Sequence, residues 1–522
     1  MRQFKIFGTA LASALLVAAC GGGGDSVLLT GVAPLPAKGT LAANSPVPIL
    51  AFTAAGFSAR LDSSASGQGL KLIAGTPKCG VDVRYIQYGT VGGKGEATDA
   101  SGALMLPTGT DPACTGARPI VLYAHGTNIS KSYNLADVAN PNNPAASESG
   151  LLMAMYAAQG FIVVAPNYAG YDTSRLGYHP YVNATQQAAD MIDALTAAKS
   201  GLPAGITAST KLFVTGYSQG GFVAMATQRA LQLAGTPVTA SAPMSGPYAL
   251  AAYLDAIFYG NVALGSTAFA PLATSSFQNA YGNIYTTPAD IYETAYATGI
   301  DSLVPGPYDF TTVYSSGKLP QTALFSSTPP AAPFAGITPP TGTGATDALF
   351  ALGFGTSNLI KNSARLAYLS DAIANPDGAV PTPSTAMPAT NPLNAIRVAA
   401  KANDLRGGWT GPATPTLLCG GNGDPTVFYS VNTQLMATIW AAKVTAGLVT
   451  VLDVDSAAGT PGPTNPFYAA KAGFAQQKAA VAAAAGANAA TAVTSAYHGS
   501  LVPPFCNAAA RGFFSLFLAA PG

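Results

Sequence analysis

The sequence predicts an α/β protein with a mostly parallel central sheet, flanking helices and one long insertion, on three observations. Residues 119–124, 161–166 and 211–214 are short continuous apolar runs separated by helix-length stretches such as 186–199, the pattern of strands buried on both faces. Two more such runs come late, at 414–419 and 448–454, with a helix-length stretch at 431–444 between them. Between about residue 248 and residue 412 the alternation stops, and Tyr, Phe and Pro become frequent. Alternating strands and helices specify a parallel sheet, and so long a break in the series specifies an inserted cap or lid.

In chain order, Arg2 and Lys5 precede an apolar run from Ile6 to Ala19 that is short for a spanning helix and has the flanks of an export signal. Val17, Ala18, Ala19 and Cys20 resemble a bacterial lipoprotein box, which makes residues 1–20 a signal peptide and Cys20 the lipidated residue. Gly21 after that cysteine, by resemblance to Gram-negative lipoproteins, favours the outer membrane of the cell envelope as the destination, with release as a secreted protein the alternative. Residues 21–45, rich in Gly, Ala and Pro without apolar periodicity, read as a flexible tether, with order beginning near Pro48.

The first part of a catalytic core is expected over 46–247. It opens with an antiparallel pair: residues 81–88 alternate, and 103–106 follow a Gly-rich stretch and stop at Pro107. The insertion, 248–412, has Pro clusters at 329–330, 339–340 and 381–388, which predict irregular connections around helices such as 289–297 and 364–374. The second part of the core is expected over 413–522. With Cys20 set aside, Cys79, Cys114, Cys419 and Cys506 remain, an even number in a chain expected to leave the cytosol. Sequence leaves three pairings open; Cys79 with Cys114 and Cys419 with Cys506 is favoured because each joins segments that the fold brings together.

The chemistry centres on Gly216, Tyr217, Ser218, Gln219 and Gly220. In a chain with 57 Gly the G-x-S-x-G pentapeptide is weak alone. Its context is strong: a strand-like run, 211–215, precedes it, and small and apolar residues suited to a closely packed helix, 220–227, follow. A serine on such a strand-to-helix elbow is held in strained backbone geometry, and glycine on either side avoids clashes with strand and helix. A serine hydroxyl also needs a base within hydrogen-bond reach and a carboxylate to orient the base. Of the three histidines, His125 closes a strand where an oxyanion loop belongs, and His179 precedes the nucleophile and reads as a packed structural residue. The chain order serine, acid, histidine leaves His498 as the base. Asp424, in a Gly-rich turn just past 414–419, is the expected acid, with Asp453 and Asp455 as competitors near the end of the next strand. The main-chain N–H of Gln219 and those of the loop at Gly126 and Thr127 are the expected oxyanion donors.

Composition narrows the partners. Lys plus Arg number 24 and Asp plus Glu 23, so no electrostatic footprint for nucleic acid is present, and small neutral partners are favoured. The mean hydropathy of +0.29 reflects Ala and Gly; beyond the N-terminus no run of about 18 apolar residues escapes interruption. H-E-x-x-H, paired-Cys metal motifs, G-x-G-x-x-G after a strand and the P-loop are all missing, so neither metal nor cofactor is expected.

Tyr123-Ala124-His125-Gly126-Thr127, the stretch from Ala165 to Asp172 with His179-Pro180-Tyr181, Gly216 to Gly221, and Asn403-Asp404-Leu405 with Trp409 together resemble the secretory lipase and related esterase branch of the α/β-hydrolase superfamily. The resemblance runs over roughly 80–520, least in the insertion. It implies an α/β-hydrolase fold and cofactor-free hydrolysis of carboxylic esters by a Ser, Asp and His triad, with Ser218, Asp424 and His498 in those roles. Asn167 departs from it, standing where that branch often has aspartate. The expected protein is a lipid-anchored serine esterase or lipase acting on a small-molecule or lipid ester, with the cap as an apolar acyl pocket or movable lid. A serine peptidase on the same fold and a noncatalytic surface binding lipoprotein are the competing readings. Acyl and alcohol specificity and oligomeric state are not legible at this level.

Overall fold

The computed structural model describes residues 34–341 and 346–518. Its strands are β1 (Val47–Phe52), β2 (Gly80–Val91), β3 (Ala97–Thr108), β4 (Ala117–Ala124), β5 (Ile162–Pro166), β6 (Thr207–Tyr217), β7 (Ala240–Met244), β8 (Phe325–Ser326), β9 (Phe354–Gly355), β10 (Thr416–Gly420) and β11 (Val449–Asp453). Nine of them form one sheet in the order β1-β2-β3-β5-β4-β6-β7-β10-β11, while β8 and β9 pair separately. From β5 to β11 every neighbour is parallel; β1, β2 and β3 add the antiparallel side, with β2 and β3 in register from Gly80 opposite Thr108 to Val91 opposite Ala97. β5, β7 and β10 are buried along their whole length, as parallel strands covered on both faces must be. Helices Ala184–Ser200 and Gln219–Leu233 pack on each other and on the sheet, and Ala146–Met155 and Val502–Ser515 form a second such group.

The parallel core and the antiparallel opening pair thus lie where the sequence predicts them. Two strands of the main sheet, and the short β8 and β9, escape prediction. β7 is five residues long and contains Ser241 and Pro243, so it lacks a continuous apolar run. β1 pairs at one margin of the sheet and is half exposed, which weakens its pattern. Residues 1–33, with the expected signal peptide, Cys20 and most of the tether, lie outside the described residues. The tether expected as far as residue 45, with order only from Pro48, ends earlier. Gly39 N–H donates to the Gly89 carbonyl and Ala42 N–H to that of Gln87, extending the margin of β2 beyond the reach of β1. Such pairing uses main-chain groups that every residue carries, so composition does not reveal it.

Between β7 and β10 the chain leaves the sheet. Its longest helices there are Leu250–Phe258, Ser266–Tyr281, Asn362–Ala374 and Ala395–Ala402. The helix expected over 289–297 is instead a 3₁₀ turn at Pro288–Asp290 and a single helical turn at Thr294–Ala297. Extended pairing interrupts it: Tyr292 bridges Ile360, Glu293 N–H donates to the Leu359 carbonyl, and Lys361 N–H donates to that of Ile291.

Charge ties this segment together. Buried Arg397 contacts Asp255 at 2.9 Å and Asp371 at 2.8 Å, and buried Arg406 contacts Asp377 at 2.6 Å and Asp404 at 2.9 Å. A buried pair repays its desolvation only when most of its polar atoms are satisfied. Here Asp255 also accepts from the Tyr368 hydroxyl, and Asp371 from the Leu393 and Asn394 amides.

Cys79 bonds Cys114 and Cys419 bonds Cys506, the pairing favoured from sequence. Structural disulfides of this kind belong to chains that mature outside the reducing cytosol. The helical run Tyr468–Ser515 is long and apolar enough to cross a membrane by length and composition. It breaks at Gly486, however, and its last helix buries Val502, Phe505 and Phe514 in the protein core.

Replacing Arg397 by Ala strands the Asp255 and Asp371 carboxylates in the interior. The expected loss is about 3–5 kcal/mol of unfolding free energy, measured by urea denaturation.

Candidate active site

β6 ends at Tyr217 and the helix Gln219–Leu233 begins two residues later, leaving Ser218 alone to turn the chain. Ser218 pays with φ 61° and ψ −124°, a conformation that non-glycine residues rarely adopt. The flanking glycines are required by crowding: a Cβ on Gly220 would lie 1.9 Å from the Ala124 carbonyl oxygen, and one on Gly216 2.5 Å from that same atom. The main chain secures the turn through Ser218 N–H to the Met244 carbonyl at 3.0 Å and Gly221 N–H back to the Ser218 carbonyl at 2.8 Å.

The turn lifts Ser218 Oγ to within 2.8 Å of His498 Nε2, and His498 Nδ1 lies 2.6 Å from Asp424 Oδ2. A carboxylate only accepts, so Nδ1 carries the imidazole hydrogen and Nε2 is free to accept from the serine. Asp424 follows β10 directly, and its other oxygen accepts the N–H groups of Thr426 at 2.9 Å and Val427 at 3.0 Å. His498 sits in a π-helical turn, Tyr497–Leu501, a widened turn that often marks functional positions. The Tyr217 hydroxyl donates to the His498 carbonyl at 2.7 Å, and Tyr497 links the acid loop to the base by accepting Gly423 N–H at 3.0 Å. The competing carboxylates are engaged elsewhere: Asp453 holds the Asn422 side chain, and Asp455 holds Lys478 and the Tyr497 hydroxyl.

After β4 comes the loop through His125, Gly126 and Thr127. A Cβ on Gly126 would lie 3.7 Å from Ser218 Cβ, which fixes the loop beside the serine. Its polar groups are satisfied from beneath by tyrosines: Tyr168 donates to the His125 carbonyl at 3.1 Å, Tyr171 to the Asn128 carbonyl, and the Tyr181 and Thr127 hydroxyls meet at 3.0 Å. Of the three expected oxyanion donors, Gly126 is ruled out, because its N–H already points at Glu148 Oε1 at 3.3 Å. The Thr127 N–H has no acceptor among the described residues, and Gln219 N–H opens a helix, where main-chain amides have no intrahelical partner. Both residues line a cavity together with Ser218, one from the loop after β4 and one from the start of the helix.

The other histidines do not reach Ser218. His125 stacks between Tyr133 and Tyr168, with ring centroids 4.4 and 4.1 Å away, and His179 contacts the Ala169 carbonyl and the Gln219 side chain. Asn167 uses both halves of its amide, donating to Ser101 and Asn134 and accepting the Leu135 N–H. An aspartate there would have no hydrogen for those two oxygens. Sequence reasoning missed Glu148, which no local motif marks, and gave Tyr217 and Tyr497 no role of their own although they stand beside Ser218 and His498.

A narrow cavity of about 80 Å³ opens at Ser218, Gln219 and Thr127 and runs between two helices of the segment inserted after β7. Its walls are Leu250, Tyr253, Leu254, Ile257 and Phe258 from one helix and Phe269, Ala270, Ala273 and Phe277 from the other, each set in the i, i+3, i+4 spacing of a single helical face. Not one charged side chain lines it among the described residues.

The Prolyl oligopeptidase family model matches residues 148–235, the part of the chain that carries β5, β6 and the Ser218 turn. The structure is similar to the crystal structure of LipA, a rice cell wall degrading esterase from Xanthomonas oryzae, at TM-score 0.61 and 26% identity over 88% of this chain and 98% of that one. A mutant of the same esterase gives TM-score 0.60 and 28% identity over 80% and 91%. A putative hydrolase from Legionella pneumophila shares the fold at TM-score 0.62 and 19% identity over 92% of this chain and 100% of that one. No curated protein matches the sequence.

Crowding at the turn makes Gly220→Ala a severe change despite the single added methyl. The expected loss is about 3 kcal/mol or more, read as a lowered denaturation midpoint together with reduced soluble yield.

Proposed function

We propose that this chain, an α/β-hydrolase by fold, hydrolyses carboxylic esters through an acyl-serine intermediate formed on Ser218. The observation that carries the reading is the uncharged, aromatic and aliphatic cavity that opens directly at Ser218 Oγ. It suits an acyl chain and has no charged group for a peptide terminus.

Ser218 Oγ attacks the ester carbonyl while His498 Nε2 takes its proton. Asp424, held by two amides, keeps the imidazole in the required tautomer and stabilises the imidazolium. The developing oxyanion is bound by the N–H groups of Gln219 and Thr127, each worth about 10²–10³ in rate. The imidazolium then gives its proton to the departing alcohol, and a water molecule, activated by the same imidazole, releases the acid and restores the serine. No metal or organic cofactor has a part in these steps.

The same reading makes the protein an exported one, attached to the cell envelope through lipid on Cys20, with the outer membrane favoured. Its partners are ester substrates rather than nucleic acid, in keeping with its near-zero net charge. The match of residues 148–235 to the Prolyl oligopeptidase family supports a second reading, a serine peptidase using the same residues. Turnover of peptidyl substrates without turnover of esters would establish that alternative.

Ser218→Ala is expected to lower ester turnover by about 10⁴-fold or more, measured with a chromogenic ester series, and to abolish labelling by a fluorophosphonate probe. Retained turnover refutes the mechanism. Ala273 lies midway along the cavity face of its helix, so Ala273→Phe is expected to reduce kcat/KM for long-chain esters about tenfold or more while sparing acetyl and butyryl esters.

A further inference from the structure

Resting on the hydrolase reading above, we propose that His179 is a positioning residue for the oxyanion hole: its Nε2 lone pair anchors the Gln219 side chain and so aims the Gln219 main-chain N–H at the reacting carbonyl. His179 touches neither Ser218 nor the cavity, yet its two ring nitrogens leave little freedom in how it is used. Nδ1 lies 2.9 Å from the Ala169 carbonyl oxygen, which can only accept, so Nδ1 carries the hydrogen. Nε2 is then a bare acceptor, and 2.7 Å away is Nε2 of Gln219, which can only donate. Gln187 Nε2 approaches the same lone pair at 3.5 Å. The residue is 1% exposed, and burial pushes its pKa down to about 3, so the lone pair persists at neutral pH.

The anchor is itself anchored. Ala169 N–H donates to Asp190 Oδ2 at 2.7 Å, and Asp190 Oδ1 accepts the Tyr88 hydroxyl at 2.7 Å. The imidazole stacks on Tyr168 and packs at a tilt against Tyr171, with ring centroids 5.6 and 4.7 Å away. A fixed series from Asp190 through the Ala169 peptide and His179 therefore ends on the residue that follows the nucleophile.

Gln219 has no other hold. Its side chain is buried, and its Oε1 has no partner among the described residues, so the bond to His179 is the one directional contact the side chain makes. Burying a glutamine amide for a single bond is costly unless the bond sets something else. Gln219 opens its helix, where the peptide plane is least restrained by the helical ladder, and that is the peptide whose N–H meets the oxyanion.

The test compares wild type, His179→Phe, His179→Gln, Gln219→Leu and the His179→Phe/Gln219→Leu double variant. The readouts are the second-order rate of fluorophosphonate capture of Ser218, kcat and KM on one ester, and the denaturation midpoint. Phosphonylation builds negative charge in the same hole and needs no assumption about the natural substrate. His179→Phe fills the space without a lone pair and is expected to slow capture and kcat about 10- to 100-fold with KM within about twofold. His179→Gln, whose side-chain oxygen replaces the acceptor, is expected to regain most of the rate. The double variant is expected to be no slower than the worse single, because both changes break one bond. Capture at the wild-type rate in folded His179→Phe overturns the proposal, as do losses that multiply in the double variant or that follow the folded fraction without rescue by Gln. An unlabelled wild-type protein overturns the hydrolase reading as well.

Discussion

The close approach of the Gly220 backbone to the carbonyl oxygen of Ala124 governs the geometry of the whole site. That contact presses the start of the Gln219–Leu233 helix against the end of β4 so tightly that no side chain fits between them. Two neighbouring parallel strands therefore lead to one place: β6 ends at Tyr217 and hands on to Ser218, and β4 ends at Ala124 and hands on to the loop through Thr127. Ser218 cannot relax out of its positive φ without moving the helix away from the sheet. The strain is paid for by packing and by the hydrogen bonds on either side of the serine, so the reactive residue is held by the most rigid part of the protein rather than by a loop.

Around this contact the molecule separates polar support from apolar space. Beneath the serine lies a layer of tyrosine hydroxyls, main-chain carbonyls, Glu148 and two histidines, nearly all paired. Above it, the inserted segment presents mainly aliphatic and aromatic side chains, with Ser266 among them and no charged group. Its charges, Arg397 and Arg406 with four aspartates, are spent holding its own helices together. A hydrogen bond in the lower layer acts in a medium that screens it little, whereas nothing in the upper space competes with a substrate for the serine.

Much of this was legible in the chain itself. The elbow, the parallel strands before and after the insertion, and the places of Asp424 in the turn after β10 and His498 near the C-terminus all follow from local patterns of glycine, apolar runs and order along the chain. The misses share one cause, which is pairing between distant main-chain atoms. β7, the segment at 37–42, the extended stretch around Tyr292 and the engagement of the Gly126 N–H by Glu148 depend on which backbone groups meet, and every residue carries those groups. Side-chain identity says little about such meetings. His179 is the instructive intermediate. Its type and position suggested packing rather than chemistry, and only the identities of the atoms facing each ring nitrogen give it a direction.

The Cys419–Cys506 bond has a topological meaning beyond added stability. It closes a covalent ring of chain 87 residues in separation, and both Asp424 and His498 lie inside that ring. The two side chains are thus tethered partners with a high effective concentration, since neither can move farther from the other than the ring allows. The serine lies outside it. With the bridge intact, assembling Ser218, His498 and Asp424 is a two-body search rather than a three-body one, because the ring already holds two of the three side chains in one covalent unit.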